Sequence, residues 1–202
     1  VTTDAGRIAT NVVVNCAGSW CDRVAAMVGV ELPVEIHRTP TCLYRTPRSL
    51  QEEGPILSDG VNQVYVKAEG DAFLRAASFG WTPARVDPDD YDETVSREQH
   101  DGMRQLVDRR CAAMRRATSA GGFSAIFDMT PDAHPIVGKV GGVDGFWCNC
   151  GWSGNGFASG PVIGRYLAAQ IMGGESEIDL SVFAWPRVVG AKPRPDVGWV
   201  VR

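Results

Sequence analysis

One stretch near the end of the chain constrains the fold most strongly. An apolar segment at 146–150 runs directly into a glycine-rich loop at 151–156, and helical spacing of apolar residues follows. Glycine lets the backbone approach a ligand closely and adopt positive φ angles. The helix after the loop directs unpaired N–H groups and a partial positive charge toward it. The pattern predicts a site for an anionic or electron-rich group, although the same glycines could serve only a tight turn.

This loop does not complete a dinucleotide-binding fingerprint. The pattern G-x-G-x-x-G would need glycine at position 159, where the chain has Ser159. The fingerprint also needs a further strand with an acidic residue for the ribose. Glu177 and Asp179 follow at a suitable distance, but little sequence remains to build that unit. The loop is therefore not predicted to be the primary dinucleotide loop.

Charge and cysteine content exclude several classes of protein. The net charge of −4 argues against a surface for nucleic acid or anionic membranes. No apolar run approaches the ~20 residues that span a bilayer. The six cysteines include no C-x-x-C pair, so we expect buried thiols and no metal site. The absence of a disulfide pattern favours a reducing, cytoplasmic setting.

The two ends of the chain are predicted to belong to one α/β sheet. Residues 11–16 are apolar and β-branched, which predicts a strand buried on both faces, and a short Ala-Gly turn and a helix follow. The chain thus opens and closes on strand, glycine turn and helix. Because a buried strand comes so early, we expect that an N-terminal half precedes this sequence.

The middle of the chain has a different character. Residues 34–44 predict a long strand, and 63–67 with 72–76 predict a hairpin. Apolar residues at helical spacing predict a helix over 97–116, and a strand follows at 122–127. The expected fold is therefore α/β, or α+β overall, with an antiparallel sheet between two α/β segments.

A rigid loop precedes the last strands. Two prolines and two acidic residues lie within 128–135, and His134 stands beside the second proline. A histidine here could act as a base or a ligand. A single loop histidine without a metal-spaced partner is more often structural, so both interpretations remain open.

Three segments together resemble a known enzyme family. They are VVNCAGSW at 13–20, DMTPDAHPIVG at 128–138 and CGWSGNGF at 150–157. In the same order and at similar intervals, they resemble motifs of the FAD-dependent amine and amino-acid oxidoreductases, the family of D-amino-acid oxidase, glycine oxidase, sarcosine oxidase and dimethylglycine dehydrogenase. The resemblance covers essentially the whole chain and corresponds to the C-terminal half of such an enzyme.

The resemblance implies a division into domains. Residues 1–32 and 122–185 would form the C-terminal part of a Rossmann-type FAD domain. Residues 33–121 would form a substrate domain built on an antiparallel sheet, and 186–202 would be a tail. The family's GxGxxG loop is absent from this sequence, so the sequence leaves open whether FAD binds without the missing half or a partner chain that carries it.

The resemblance also implies how FAD is held. The loop amides and the helix N-terminus would stabilise negative charge on the reduced flavin. The residues implied to lie against the flavin ring are Gly151, Ser153, Gly154, Asn155, Gly156 and Phe157. Those implied to lie along the FAD are Ala17, Gly18 and Trp20. Some relatives attach flavin through a cysteine where this chain has Ala125, so we expect non-covalent FAD.

The implied reaction is oxidation of a C–N bond in a secondary amine or amino acid by hydride transfer to flavin N5. Carboxylate anchors of some relatives correspond to Ala158 and a position near Phe127, which leaves the substrate open. Tyr65 matches a pocket tyrosine, or is simply a cross-strand aromatic. Arg75 matches a basic residue beside flavin N5, or is an exposed strand arginine. The alternative function is an inactive fragment or a non-catalytic subunit.

Overall fold

The computed structural model describes residues 1–46, 55–70, 72–79, 84–174 and 177–189. The described residues form eleven strands and three α-helices. The strands are β1 (Thr2–Thr3), β2 (Gly6–Arg7), β3 (Val13–Asn15), β4 (Glu35–Arg45), β5 (Leu57–Asp59), β6 (Val64–Glu69), β7 (Phe73–Ser78), β8 (Ala84–Arg85), β9 (Thr118–Met129), β10 (Ile136–Lys139) and β11 (Phe146–Cys150). The helices are α1 (Cys21–Ala26), α2 (Arg97–Arg110) and α3 (Gly156–Ile171). The mixed α/β class with an antiparallel sheet is as predicted.

These residues divide into two compact units. The described part of the first unit is 1–36 with 127–189, and that of the second lies within 37–126. The assignment of these segments to an FAD domain and a substrate domain remains a prediction.

The first unit is built on a three-stranded sheet in the order β10-β11-β3. β11 runs parallel to β3, with Trp147 opposite Val14, and antiparallel to β10. Helix α3 places Ile163 and Leu167 in one apolar cluster with Trp147 and other buried side chains of this unit. The two ends of the chain therefore share one sheet, as the sequence predicts.

Strand β3 is shorter and less buried than its sequence predicts. It covers only Val13–Asn15, and Val14 is 37% exposed while Asn15 is buried. The reason is its place in the sheet. Among the described residues β3 ends the strand order, so it is paired along one side only.

The second unit packs helix α2 on a mainly antiparallel sheet. Its strand order is β5-β6-β7-β4-β8, with β9 also paired to β4, and β6 and β7 form the predicted hairpin. Met103 and Val107 of α2 enter a core that also contains Tyr44. The predicted helix over 97–116 is too long, because α2 ends at Arg110 and a 3₁₀ turn covers Ala112–Arg116.

The predicted tail at 186–202 begins inside packed structure. A 3₁₀ turn covers Trp185–Arg187, and Val188 after it is fully buried. Residues 190–202 lie outside the described part. Within the described part, none of the helices has both the length and the apolar character needed to cross a membrane.

Candidate functional site

Three sequence motifs meet at one edge of the first unit's sheet. Strands β3 and β11 are parallel, so the turn at 17–20 and the glycine loop leave from the same edge. Strand β10 is antiparallel to β11 and begins at that edge, since Ile136 pairs with Cys150. The loop over 130–135 therefore arrives there too. In open α/β sheets the carboxyl edge of the parallel strands is where ligands bind.

The glycine loop has a backbone that other residues could not adopt without strain. Gly151 has φ +69°, and a Cβ added to it would lie 2.5 Å from Cγ2 of Thr130. Gly154 has φ +87°, and Ser153 between them has φ +49°. Gly151 is therefore required both for its backbone angle and for the close approach of Thr130.

Asp128, at the C-terminal end of β9, anchors the first half of this loop. The Gly151 N–H donates to Asp128 Oδ2 at 2.7 Å, and the Ser153 N–H donates to the Asp128 carbonyl at 3.0 Å. Burial raises the pKa of the Asp128 carboxyl, and the hydrogen bond from Gly151 offsets only part of that effect. Sequence reasoning did not single out Asp128. The sequence feature that could have identified it is an aspartate directly after a predicted apolar strand.

A second connection runs from the same segment to Ser153. The Thr130 N–H donates to Ser153 Oγ at 3.3 Å, and Ser153 is fully buried. Together with Asp128, this contact fixes the loop from one side. The amides of Gly151 and Ser153 are thus used inside the protein and are not offered to a ligand.

The second half of the loop and the start of α3 present the available donors. Asn155 stands at the N-cap but its side chain makes no capping hydrogen bond, and the first turn contains no acidic residue. Gly154 and Asn155 are exposed, and Phe157 is fully exposed; the Asn155 N–H itself donates to the Trp152 carbonyl at 2.9 Å. Unpaired N–H groups at a helix start carry partial positive charge. This donor set fits the electron-rich edge of a ring or an anion.

The turn after β3 is held by a buried asparagine. Asn15 Nδ2 donates to the Cys21 carbonyl at 2.7 Å, and its Oδ1 accepts from the Ala17 N–H at 3.1 Å. Gly18 has φ +53°, and the Trp20 side chain after it is 41% exposed. Asn15 therefore positions Ala17, Gly18 and Trp20 at the carboxyl edge.

His134 lies in the same unit, and its side chain contacts its own segment and Phe183. It is exposed, its Nδ1 is 2.7 Å from the Asp132 carbonyl oxygen, and its ring stacks on Phe183 at 6.4 Å between centroids. These contacts account for its placement in a rigid loop. A role as a base remains a prediction.

Tyr65 and Arg75 belong to the second unit and share one face of its sheet. Tyr65 pairs with Ala77, and Lys67 pairs with Arg75, so these side chains point away from the face that packs on α2. Arg75 Nε lies 3.2 Å from Glu69 Oε2. The Tyr65 ring stacks on Phe79 at 6.0 Å, and burial raises the pKa of the Tyr65 hydroxyl.

The cysteines behave largely as buried thiols. All six are free, and Cys21, Cys42, Cys148 and Cys150 are buried, whereas Cys16 is exposed. Cys148 and Cys150 project from the same side of β11. In the part of the chain that is described, no group of three or more His, Cys, Asp or Glu residues is arranged to hold a metal.

Comparison with known proteins decides the family. The sequence matches the family described as DAO, FAD dependent oxidoreductase, over residues 1–170. The chain belongs to this family. The resemblance stated from the three motifs is thereby confirmed, and the DAO family is FAD-dependent.

Curated relatives of this DAO-family chain are larger proteins. It is 30% identical to mouse mitochondrial sarcosine dehydrogenase and 26% identical to human mitochondrial dimethylglycine dehydrogenase, over 89% of its own length in each case. It spans 20% and 22% of those two proteins. Because both are mitochondrial, the expected cytoplasmic location remains a prediction, as does a missing partner or N-terminal half.

A solved structure with the same fold is L-proline dehydrogenase from P. horikoshii. It matches with a TM-score of 0.82 at 19% identity, covering 96% of this chain and 51% of that protein. At this identity the match shows the fold alone. The predicted fold class is confirmed for this DAO-family chain.

Proposed function

We propose that this chain supplies the flavin-side loop and the substrate sheet of an FAD-dependent oxidoreductase that oxidises the C–N bond of a secondary amine or amino acid. One observation carries the proposal: the three family motifs converge on one sheet edge and present helix-start N–H groups without a competing acidic residue. In this proposal the first unit corresponds to the FAD-domain segments predicted as 1–32 and 122–185, and the second to the substrate domain predicted as 33–121, although the units divide after residues 36 and 126.

The fit to FAD can be argued residue by residue. Gly151 and Ser153 hold the loop in shape through Asp128 and Thr130. Gly154, Asn155, Gly156 and Phe157 then face the flavin, while Ala17, Gly18 and Trp20 lie along the cofactor from the neighbouring strand. Bound FAD would supply the hydride acceptor at N5. The helix start contributes partial positive charge where the reduced ring carries negative charge.

Tyr65 and Arg75, on the sheet of the second unit, are proposed as catalytic residues, Tyr65 toward the substrate and Arg75 toward flavin N5. A tyrosine with a raised pKa stays protonated at neutral pH and can donate a hydrogen bond. No strong protein base is required if the amine binds in its neutral form, so His134 is proposed only as a further candidate. The names of the two dehydrogenases above support an N-methyl amino acid as substrate, such as sarcosine.

The first experiment is an absorption spectrum of the purified protein after incubation with FAD and removal of free FAD. Retained flavin bands that bleach when sarcosine is added without oxygen would show that this chain alone builds a working site. Glycine, D-alanine and L-proline, tested in parallel, measure how far the substrate class extends.

Two other outcomes discriminate the alternatives. Flavin retention only after a chain with a GxGxxG segment is added would support the subunit alternative. A full-length protein that carries this sequence but neither purifies with flavin nor takes it up would overturn the proposed function.

A further inference from the structure

The guanidinium of Arg187 ties the loop over 130–135 to the last described turn. Its Nε lies 2.5 Å from Asp132 Oδ2 and its Nη2 lies 3.2 Å from Asp132 Oδ1, which makes a bidentate pair. Nη2 also donates to the carbonyls of His134 and Pro135 at 2.9 and 3.0 Å, and Nη1 donates to the Val182 carbonyl at 3.2 Å. Bidentate arginine–carboxylate pairs fix geometry as well as adding stability.

The network continues from Asp132 to Thr130. Asp132 Oδ1 accepts from the His134 N–H at 3.2 Å and lies 3.3 Å from Thr130 Oγ1. Thr130 Oγ1 also lies 2.7 Å from the His134 carbonyl, to which it donates. Thr130 is buried, so its orientation is set by these few contacts.

Thr130 is the residue that touches the glycine loop. Its N–H donates to Ser153 Oγ, and its methyl group fills the space where a side chain at Gly151 would lie. Arg187, Asp132, Thr130 and Ser153 thus form a continuous chain of contacts within the first unit.

Arg187 belongs to a turn that is held in place by apolar packing. It ends the 3₁₀ turn Trp185–Arg187, and Val188 beside it is fully buried. Leu180, at the start of the preceding turn, packs in the same apolar cluster as α3. The turn is therefore anchored by apolar packing and can act as a support. This turn follows, along the chain, the residues 1–170 that match the family.

We propose that Arg187 is a positioning residue for the glycine loop: through Asp132 it holds Thr130 against Gly151 and Ser153, and so sets the direction of the amides that follow. The inference rests on the proposed function for the identity of the group those amides meet. Its first test does not need that group.

The first test is amide hydrogen exchange in the flavin-free protein, followed over 128–135 and 150–156. We expect Arg187→Ala to speed exchange of the Gly151 and Ser153 amides about tenfold, because hydrogen bonds to charged groups are lost. Arg187→Lys keeps the charge but not the bidentate geometry, so it should give an intermediate effect. Arg109→Lys, at an exposed arginine of α2, is the matched control and should change neither segment.

An unchanged rate of amide exchange over 150–156 in a folded Arg187→Ala protein would overturn the inference, even if amide exchange over 177–189 becomes faster. If that variant does not fold, Arg187→Lys and Asp132→Asn decide in the same way. Exchange of α2 amides reports whether each variant is folded.

A second readout uses FAD-loaded protein. We expect Arg187→Lys to shift the flavin absorption maximum and reduction potential and to lower kcat more than it changes KM, whereas Arg109→Lys does neither. If Arg187→Lys binds flavin with an unchanged absorption spectrum and reduction potential, the inference about Arg187 is overturned, but the proposed function is not. A full-length protein that carries this sequence and takes up no FAD would overturn the proposed function, while the exchange result would still stand.

Discussion

At the scale of single residues, two aspartates four positions apart have opposite pKa shifts. Burial raises the pKa of Asp128, and its main compensation is the N–H of Gly151. Burial also acts on Asp132, but the hydrogen bonds from Arg187 and the His134 N–H outweigh it and lower the pKa. The side chains are identical, so the difference comes from the donors that the fold brings to each one.

This contrast predicts how Asp128 variants respond to pH. A raised pKa in the folded state means that the contribution of Asp128 is fully present below its unfolded value near 3.8 and is lost as pH rises through the folded pKa. Asp128→Asn should remove that loss because an amide does not ionise, and its oxygen can still accept from Gly151. Asp128→Ala leaves the Gly151 N–H without its acceptor and should cost about 1–3 kcal/mol.

Urea unfolding of both variants across acidic to neutral pH measures these effects. Asp132→Asn is the comparison, because the contribution of Asp132 is present above its unfolded pKa and is lost as pH falls through the lowered one. Equal destabilisation by Asp128→Asn and Asp128→Ala at neutral pH would contradict the prediction.

At the scale of elements, the strand–loop–helix unit of β11 and α3 depends on one glycine. A residue other than glycine with φ near +69° is strained by about 1–2 kcal/mol, and Thr130 leaves no room for a Cβ. Gly164 lies inside α3 with open space around it and without a positive φ. The two glycines therefore form a matched pair for mutation.

We expect Gly151→Ala to weaken FAD binding at least about tenfold, because strain of this size and the displacement of Thr130 both move the loop. Gly164→Ala should keep wild-type affinity and gain slightly in helix stability. Titration of FAD fluorescence or absorbance measures both affinities. Full affinity in Gly151→Ala would show that the flavin does not contact this loop.

At the scale of the whole molecule, the proposed activity is divided between two units. The first carries the loop and turn proposed to meet FAD, and the second carries Tyr65 and Arg75 on the sheet face away from α2. This division separates cofactor binding from substrate binding in an experiment. A change at Tyr65, which is assigned to the substrate, should leave flavin retention unaltered.

Tyr65→Phe tests that separation. We expect up to about a tenfold fall in kcat/KM for the amine substrate, since one hydrogen-bonding hydroxyl is lost, with no change in flavin content. Tyr91→Phe, in the same unit, is the control and should behave as wild type. Steady-state kinetics and the flavin-to-protein absorbance ratio provide both readouts. Loss of flavin in Tyr65→Phe would contradict the assignment.

Local pattern predicted much of this protein. The hairpin of β6 and β7, the strand and loop before α3, and the pairing of the two chain ends in one sheet all follow from periodicity, turn residues and glycine placement. Helix α2 was placed correctly at its start but extended too far, because the 3₁₀ turn after Arg110 keeps Met114 in the core. The periodicity of apolar residues does not distinguish an α-helix that continues to residue 116 from one that ends at Arg110 and is followed by a 3₁₀ turn.

The family and its cofactor could be recognised from three short motifs, because the residues that approach a ligand closely are constrained in type and order. Only the tertiary structure decided how those motifs are held. Asp128, Thr130 and Arg187 act through partners more than 20 residues away in sequence, such as Gly151 at 2.7 Å from Asp128. The burial of side chains, the pKa shifts of Asp128 and Asp132 and the exposure of Val14 depend on which elements pack together. No local sequence pattern encodes that packing.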